Sequence, residues 1–319
     1  MARSNPMPVP TDTGDTLPGF LFALSAYLLW GFLPFYMKAV AHIAPVEVVA
    51  HRILWSIPIA GAWILWLRRT DDLKRALGDW RIIGMAAVTA GLISINWSIY
   101  VWAIANDRAL ETSLGYYVNP LFTIALGAIV LREKMTRLQL AAIVSAVVAV
   151  AILTWESGGL PLVSLGLVFS WGGYAYFRKT LPVGPNQGFF LEVLILSPIA
   201  LGYLMWLTWS GGDKPFFGSG TTADTGLLLF AGVATAIPLI LYANGAKLLR
   251  LSTIGVMQYI APTMIFLIAV FVFKEPFGWA RLVAFSFIWL ALALYVVSIL
   301  SERRRLRADL PLVEPGTKT

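Results

Sequence analysis

The residues best able to bind or move charge stand where charge is rarest. The stretch VEVVAHRILWSIPIAGAWILWL, residues 46–67, carries Glu47, His51 and Arg52 in an otherwise apolar run. Glu47, His51 and Trp55 recur at i, i+4 and i+8, making one polar-aromatic helical stripe, while Arg52 and Ser56 share the adjacent face. An arginine within a membrane span costs about 2.5–3.5 kcal/mol on insertion scales and usually faces a bundle interior or a wet cavity. Arg52 lies seven residues beyond Pro45, so ~10 Å along a helix at 1.5 Å per residue. Snorkelling to the surface is within its reach; the continuous polar strip favours a vestibule. Its guanidinium is a fixed cation whose fork suits a carboxylate. An ordinary histidine titrates near neutral pH, so His51 is either a proton carrier or a hydrogen-bonded packing residue.

A second charge stands in a comparable place. Aligning Pro58 with Pro198 sets Arg52 opposite Glu192. Such a pair could serve alternate gates, hold the two ends of a zwitterion, or pair locally within each half; Glu192 could also carry a proton. Asn96 and Tyr100 share a helix face as i and i+4, and Asn119 and Gln258 flank two prolines beside Tyr117 and Tyr259. A buried amide needs hydrogen-bond partners, supplied by another helix or by a ligand. Trp30, Trp55, Trp97 and Trp171 could wall an aromatic or amphiphilic ligand, with Tyr242 as the counterpart of Tyr100. Trp80 and Trp279 are expected at the membrane interface.

Helices must position these groups. Hydrophobic residues make up 58% of the 319 and charged residues 13%, with mean hydropathy +0.75. Apolar runs of about twenty residues match a hydrocarbon layer ~30 Å thick and exceed a buried strand. Ten spans are expected near 18–40, 45–67, 80–104, 110–131, 138–154, 160–180, 187–209, 225–248, 252–273 and 279–301. The chain is thus expected to be an all-α integral membrane protein, with tails at 1–17 and 302–319. The polar, proline-rich first seventeen residues lack a cleaved-signal pattern, and the absence of cysteine excludes disulfide and thiolate chemistry.

Charge sets the expected orientation. Eighteen basic residues fall in one set of loops and ends and five in the other, with only Arg52 in a span. Positive residues favour the cytoplasm, which places both termini there. The net charge of +7 is concentrated in loops and tail, which suits an anionic leaflet rather than nucleic acid.

The chain also repeats itself at a displacement of 141 to 142 residues. YVNPLFTIALGAIVLRE is echoed by YIAPTMIFLIAVFVFKE: Tyr117 and Pro120 match Tyr259 and Pro262, and thirteen residues separate each proline from Glu133 or Glu275. Trp30, Gly31 and Lys38 match Trp171, Gly172 and Lys179. Five spans per half oblige the halves 18–154 and 160–301 to enter the membrane in opposite directions. Inverted repeats of this kind build secondary transporters with a midplane substrate site. Internal prolines, Pro34, Pro58, Pro120, Pro198, Pro238 and Pro262, kink their helices. Glu133 and Glu275 end spans and read as structural.

Ten spans in two such halves resemble the EamA repeat of the drug/metabolite transporter superfamily. The stretches AYLLWGFLPFYMK, HRILWS, NWSIYVWAIAN, LETSLGYYVNPL, LRLSTIGVMQYIAPTMIFLIAV and FSFIWLALALYVV are similar to its RarD branch. The likeness runs from Gly19 to Ser301. It implies a multi-pass permease of the bacterial inner membrane with a central cavity, and efflux by family analogy. It implies no particular cargo.

Rival functions find little support. There is no HExxH or GxSxG, and His42 and His51 are the only histidines, so no enzyme, metal or cofactor is expected. A sensor or assembly subunit docking through the basic tail SERRRLR is the alternative. The expectation is a secondary transporter of a small metabolite, amino acid or drug-like amphiphile, working by alternating access in the lipid bilayer. No ATP-binding motif is present, so a substrate or proton gradient would supply the work; a homodimer is left open.

Overall fold

The computed structural model describes residues 16–68, 70–130, 135–157, 160–210, 215–249, 253 and 257–308. Glu133 lies outside them, as do the basic residues Arg132, Lys134 and Arg250. All regular structure among the described residues is helical. The helices are α1 (Leu17–Ala39), α2 (Pro45–Trp66), α3 (Thr70–Leu77), α4 (Trp80–Ala105), α5 (Ala109–Val130), α6 (Arg137–Ser157), α7 (Leu162–Thr180), α8 (Pro185–Trp209), the single turn α9 (Phe216–Ser219), α10 (Thr222–Lys247), α11 (Ile260–Leu267) and α12 (Trp279–Ala308).

Helix starts follow local chemistry. Thr16 accepts the Gly19 N–H at the head of α1, and Asp79 accepts from Arg81 at α4. Thr221 and Asp224 close a capping box on α10, satisfying donors that a helix leaves open. Proline occupies the first positions of α2 and α8, where its missing N–H costs nothing. Helix α11 continues as a π turn, Ile268–Val272, and Lys274 then takes a positive φ of 57°.

Among the described residues, seven helices are long and apolar enough to cross a bilayer: α1, α2, α4, α6, α8, α10 and α12. Ile260–Val272 is a shorter apolar helix. Exposed tryptophans cluster at helix ends, with Trp66 closing α2, Trp80 opening α4, Trp209 closing α8 and Trp279 opening α12. This is the pattern of membrane-interface belts. Two features differ from the sequence reading. Residues 70–77, expected as loop, form α3, whose charges pair at i, i+3 as Arg75 with Asp72. Helix α12 runs on to Ala308 rather than stopping near 301, because arginines and leucines are good helix formers.

The chain divides into two compact units. One contains the described residues up to Tyr116 and from Leu162 to Pro276; the other contains those from Tyr117 to Pro161 and from Phe277 on. In the first, α10 packs on both α1 and α2, α2 on α8, and α4 on α7 and α8. Close approach depends on glycine: a Cβ on Gly232 of α10 would collide with the Trp55 main-chain carbonyl of α2, and one on Gly31 of α1 with Met264 of α11. With no water to expel between helices in lipid, such backbone proximity is a main source of association. The second unit is built on α6 against α12, with Thr136 and Ser298 hydroxyls 2.9 Å apart.

Candidate binding site

Arg52 is carried inward by α2 and is 4% exposed. Its Nε donates to the Thr235 hydroxyl of α10 at 3.0 Å, and Thr235 in turn donates to the Ala231 carbonyl at 2.8 Å. The guanidinium carbon lies 4.8 Å from the Trp97 ring centroid of α4, a cation–π distance. The phenols of Tyr36, Tyr100 and Tyr116 are its electrostatic neighbours. Nη1 is buried and has no hydrogen-bond partner among the described residues. No carboxylate forms a salt bridge with Arg52 among the described residues.

The adjacent stripe meets α9. Glu47 accepts the Phe216 N–H at 2.7 Å and the Phe217 N–H at 3.4 Å. His51 stacks on the Phe217 ring at 4.9 Å, and Trp55 lies 5.8 Å from the same ring. The Trp55 indole donates to His51 Nδ1 at 3.1 Å, which leaves the ring proton on Nε2, a buried atom without a partner among the described residues. The stripe expected to line a vestibule is thus covered by one turn of chain. Two further contacts tie this end of the unit: His42 to Asp224 at 2.8 Å, and the Glu275 carboxylate to the Ala109 and Leu110 N–H groups at 2.7 and 2.9 Å. Lys38 pairs with Asp107 beside them.

Glu192, 1% exposed, lies 3.3 Å from Arg178 Nη1 and accepts from the Tyr174 hydroxyl at 3.3 Å. Asn96 donates to the Leu167 carbonyl and the Ser170 hydroxyl of α7 at 3.2 and 2.9 Å, and its carbonyl faces the Tyr116 hydroxyl at 3.5 Å. Tyr100 lies beside Tyr116 at 5.9 Å, and its hydroxyl is buried without a partner among the described residues. Trp30 and Tyr242 form an aromatic trio with Tyr27, away from the Arg52 neighbours. Trp171 sits against Tyr174 at 5.6 Å. Gln258 is half-buried and Tyr259 buried, just before α11. Tyr117 and Asn119 are both buried in the other unit, where Tyr117 meets Phe285 edge-on at 6.3 Å.

Three neighbours of Arg52 escaped the sequence-based site: Tyr36, Tyr116 and Thr235; Trp97 was expected as an apolar wall, and the structure makes it a direct partner of the cation. Arg178 was counted only as a loop charge. A signal for it was present: Arg178 and Glu192 stand seven residues either side of Pro185, and a tight hairpin brings such equidistant positions together.

Apolar helices of bilayer length, interfacial tryptophans and charges buried between helices define a multi-pass integral membrane protein. The chain belongs to the EamA family. The EamA-like transporter family model matches residues 17–155. Protein RarD of Salmonella typhimurium is 38% identical, spanning 92% of this chain and 99% of its own. The uncharacterized transporter YojE of Bacillus subtilis is 39% identical over 91% of this chain and 97% of that one. The chloramphenicol-sensitive protein RarD of Pseudomonas aeruginosa is 30% identical over 86% and 92%. A solved crystal structure superposes with a TM-score of 0.57 at 18% identity, covering 88% of this chain and 97% of that one, a likeness of fold alone. The RarD-type resemblance therefore holds over most of the chain, and the protein is a membrane transporter of a bacterial inner-membrane family.

Proposed function

We propose that the chain is a secondary carrier that moves a small organic molecule out across the inner membrane by alternating access. In this reading it has ten spans in two inverted halves, 18–154 and 160–301, with both termini cytoplasmic. The single observation that carries the proposal is Arg52, a cation buried on a span that contains Pro58, with no hydrogen-bond partner for Nη1 and no carboxylate in a salt bridge with it among the described residues. Such a group is expensive in hydrocarbon and commonly marks a substrate path. The ties at the Lys38 end fit an outer gate, because three of them cross between the halves: His42–Asp224, Glu47–Phe216 and Glu275–Ala109. In this reading, breaking them opens a path from the outside towards Arg52.

The test is efflux from proteoliposomes loaded with a bacterial small-molecule extract, read by mass spectrometry against protein-free vesicles. Selective loss of one or a few compounds is expected. No protein-dependent loss of any compound overturns the carrier reading.

A further inference from the structure

We infer that the group held at Arg52 is a carboxylate on a molecule of net charge −1 with an aromatic or apolar body, and that zwitterions of the same skeleton are selected against. The inference rests on the carrier reading and adds the charge of its cargo.

The argument begins with which buried charges are already answered. Glu192 faces Arg178. Glu47 is spent on the Phe216 and Phe217 N–H groups. Asp224 serves the α10 capping box and His42, and Glu275 serves the start of α5. Every buried carboxylate described in this unit is therefore matched by a cation or by hydrogen-bond donors; Glu192 Oε1 makes no hydrogen bond among the described residues, but the Arg178 cation beside it disfavours a substrate ammonium there. Arg52 is the reverse case. A buried charge without a partner is unfavourable in a low-dielectric surrounding, so a bound monoanion would supply what the protein withholds.

The neighbouring groups narrow the ligand further. Trp97 covers one face of the guanidinium and Thr235 takes Nε, which leaves the terminal Nη edge. That planar edge matches a planar carboxylate. The free hydroxyl of Tyr100 adds a second unpartnered donor nearby, whereas the Tyr36 and Tyr116 hydroxyls are engaged by the Leu227 carbonyl and Asn96. A surrounding with spare donors suits a ligand that only accepts, as an ionised carboxylate does. A phosphate dianion would import a second charge that one guanidinium leaves unbalanced. Trp97, Tyr100 and Tyr116 offer flat apolar surface to the body of the molecule.

The experiment is binding of four compounds with one skeleton to the purified full-length protein in detergent. They are 3-phenylpropionate, phenylalanine, 3-phenylpropionamide and 3-phenylpropylamine, measured by calorimetry. The anion should bind at least ~10-fold more tightly than the zwitterion, and the amide and amine should not bind measurably. Arg52→Gln should abolish binding of the anion, Arg52→Lys should retain part of it, and Tyr100→Phe should weaken it by roughly 10-fold. Tyr100→Phe and the ligand series keep the test decisive if Arg52→Gln fails to fold. Equal or tighter binding of the zwitterion, amide or amine, unchanged binding to Arg52→Gln, or no binding of the anion at millimolar concentration overturns the inference. Vesicles that release only neutral, cationic or zwitterionic compounds overturn it too while the carrier reading stands, whereas vesicles that release nothing overturn the carrier itself.

Discussion

Helices α2 and α8 each begin at a proline, Pro45 or Pro185, and each carries an internal proline, Pro58 or Pro198. Each buries a charged side chain six residues before that internal proline, Arg52 in one and Glu192 in the other. On α8 the charge is met within its own helical hairpin, by Arg178 and Tyr174 of α7. On α2 it meets a threonine hydroxyl and an indole face. Similar local designs thus give an ion pair that bridges two helices and a cation with no counter-charge among the described residues. The difference separates a buried charge that stabilises from one that recognises.

The largest effect should come from breaking the closed pair. Glu192→Gln leaves Arg178 without its counter-charge and should lower stability by about 3 kcal/mol, the lower end of the usual range because the Arg178 side chain is 17% exposed. The thermal midpoint in detergent reads this, and adding Arg178→Met should recover most of the loss; an unchanged midpoint for Glu192→Gln would contradict the pairing.

Next in size is Gly232→Ala. Its methyl would strike the Trp55 carbonyl, a main-chain atom that cannot swing aside, so overpacking should cost about 2 kcal/mol. It should also draw Thr235 away from Arg52 and reduce flux beyond what the fall in midpoint explains. A variant with wild-type midpoint and flux would show that α10 is free to shift.

Arg52→Met should act in the opposite sense. Replacing an unpaired buried cation by an apolar chain should leave stability unchanged or raise it by about 1 kcal/mol while flux is lost, the usual trade between a strained site and a stable one. A marked fall in midpoint would mean that Arg52 is structural after all. The smallest effect belongs to Glu47→Gln, which keeps an acceptor for the Phe216 N–H but removes its charge. About 0.5 kcal/mol should be lost, seen best as faster labelling of a cysteine introduced at Phe217. The chain has no cysteine of its own to interfere.

Much of the α2 side was legible because helical periodicity is. The spacing of Glu47, His51 and Trp55 placed them on one stripe, and the structure sets all three against α9. Periodicity says which residues share a face, and nothing about what covers that face. The turn at Phe216 meets Glu47 through main-chain N–H groups, which leave no trace in side-chain pattern. Arg178 was obscured for another reason: a basic residue near a helix end satisfies the rule for loop charge equally well whether it faces water or a neighbouring acid. Tyr116 was passed over for Tyr117, since the repeat made Tyr117 conspicuous and each lies one step of about 100° from the other around α5. The segment TDDLKRAL looked like loop because its amphipathic face is only two turns long.

The ties made by Glu47 and Glu275 join an acid to the peptide backbone at residues 216, 217, 109 and 110. Every amino acid except proline brings that same amide hydrogen, so sequence drift on the donating side leaves the fastening in place. Two carboxylates alone decide whether it holds. A lineage could therefore retune how readily this face unlocks through single codon changes at two sites, leaving the cargo-handling residues untouched.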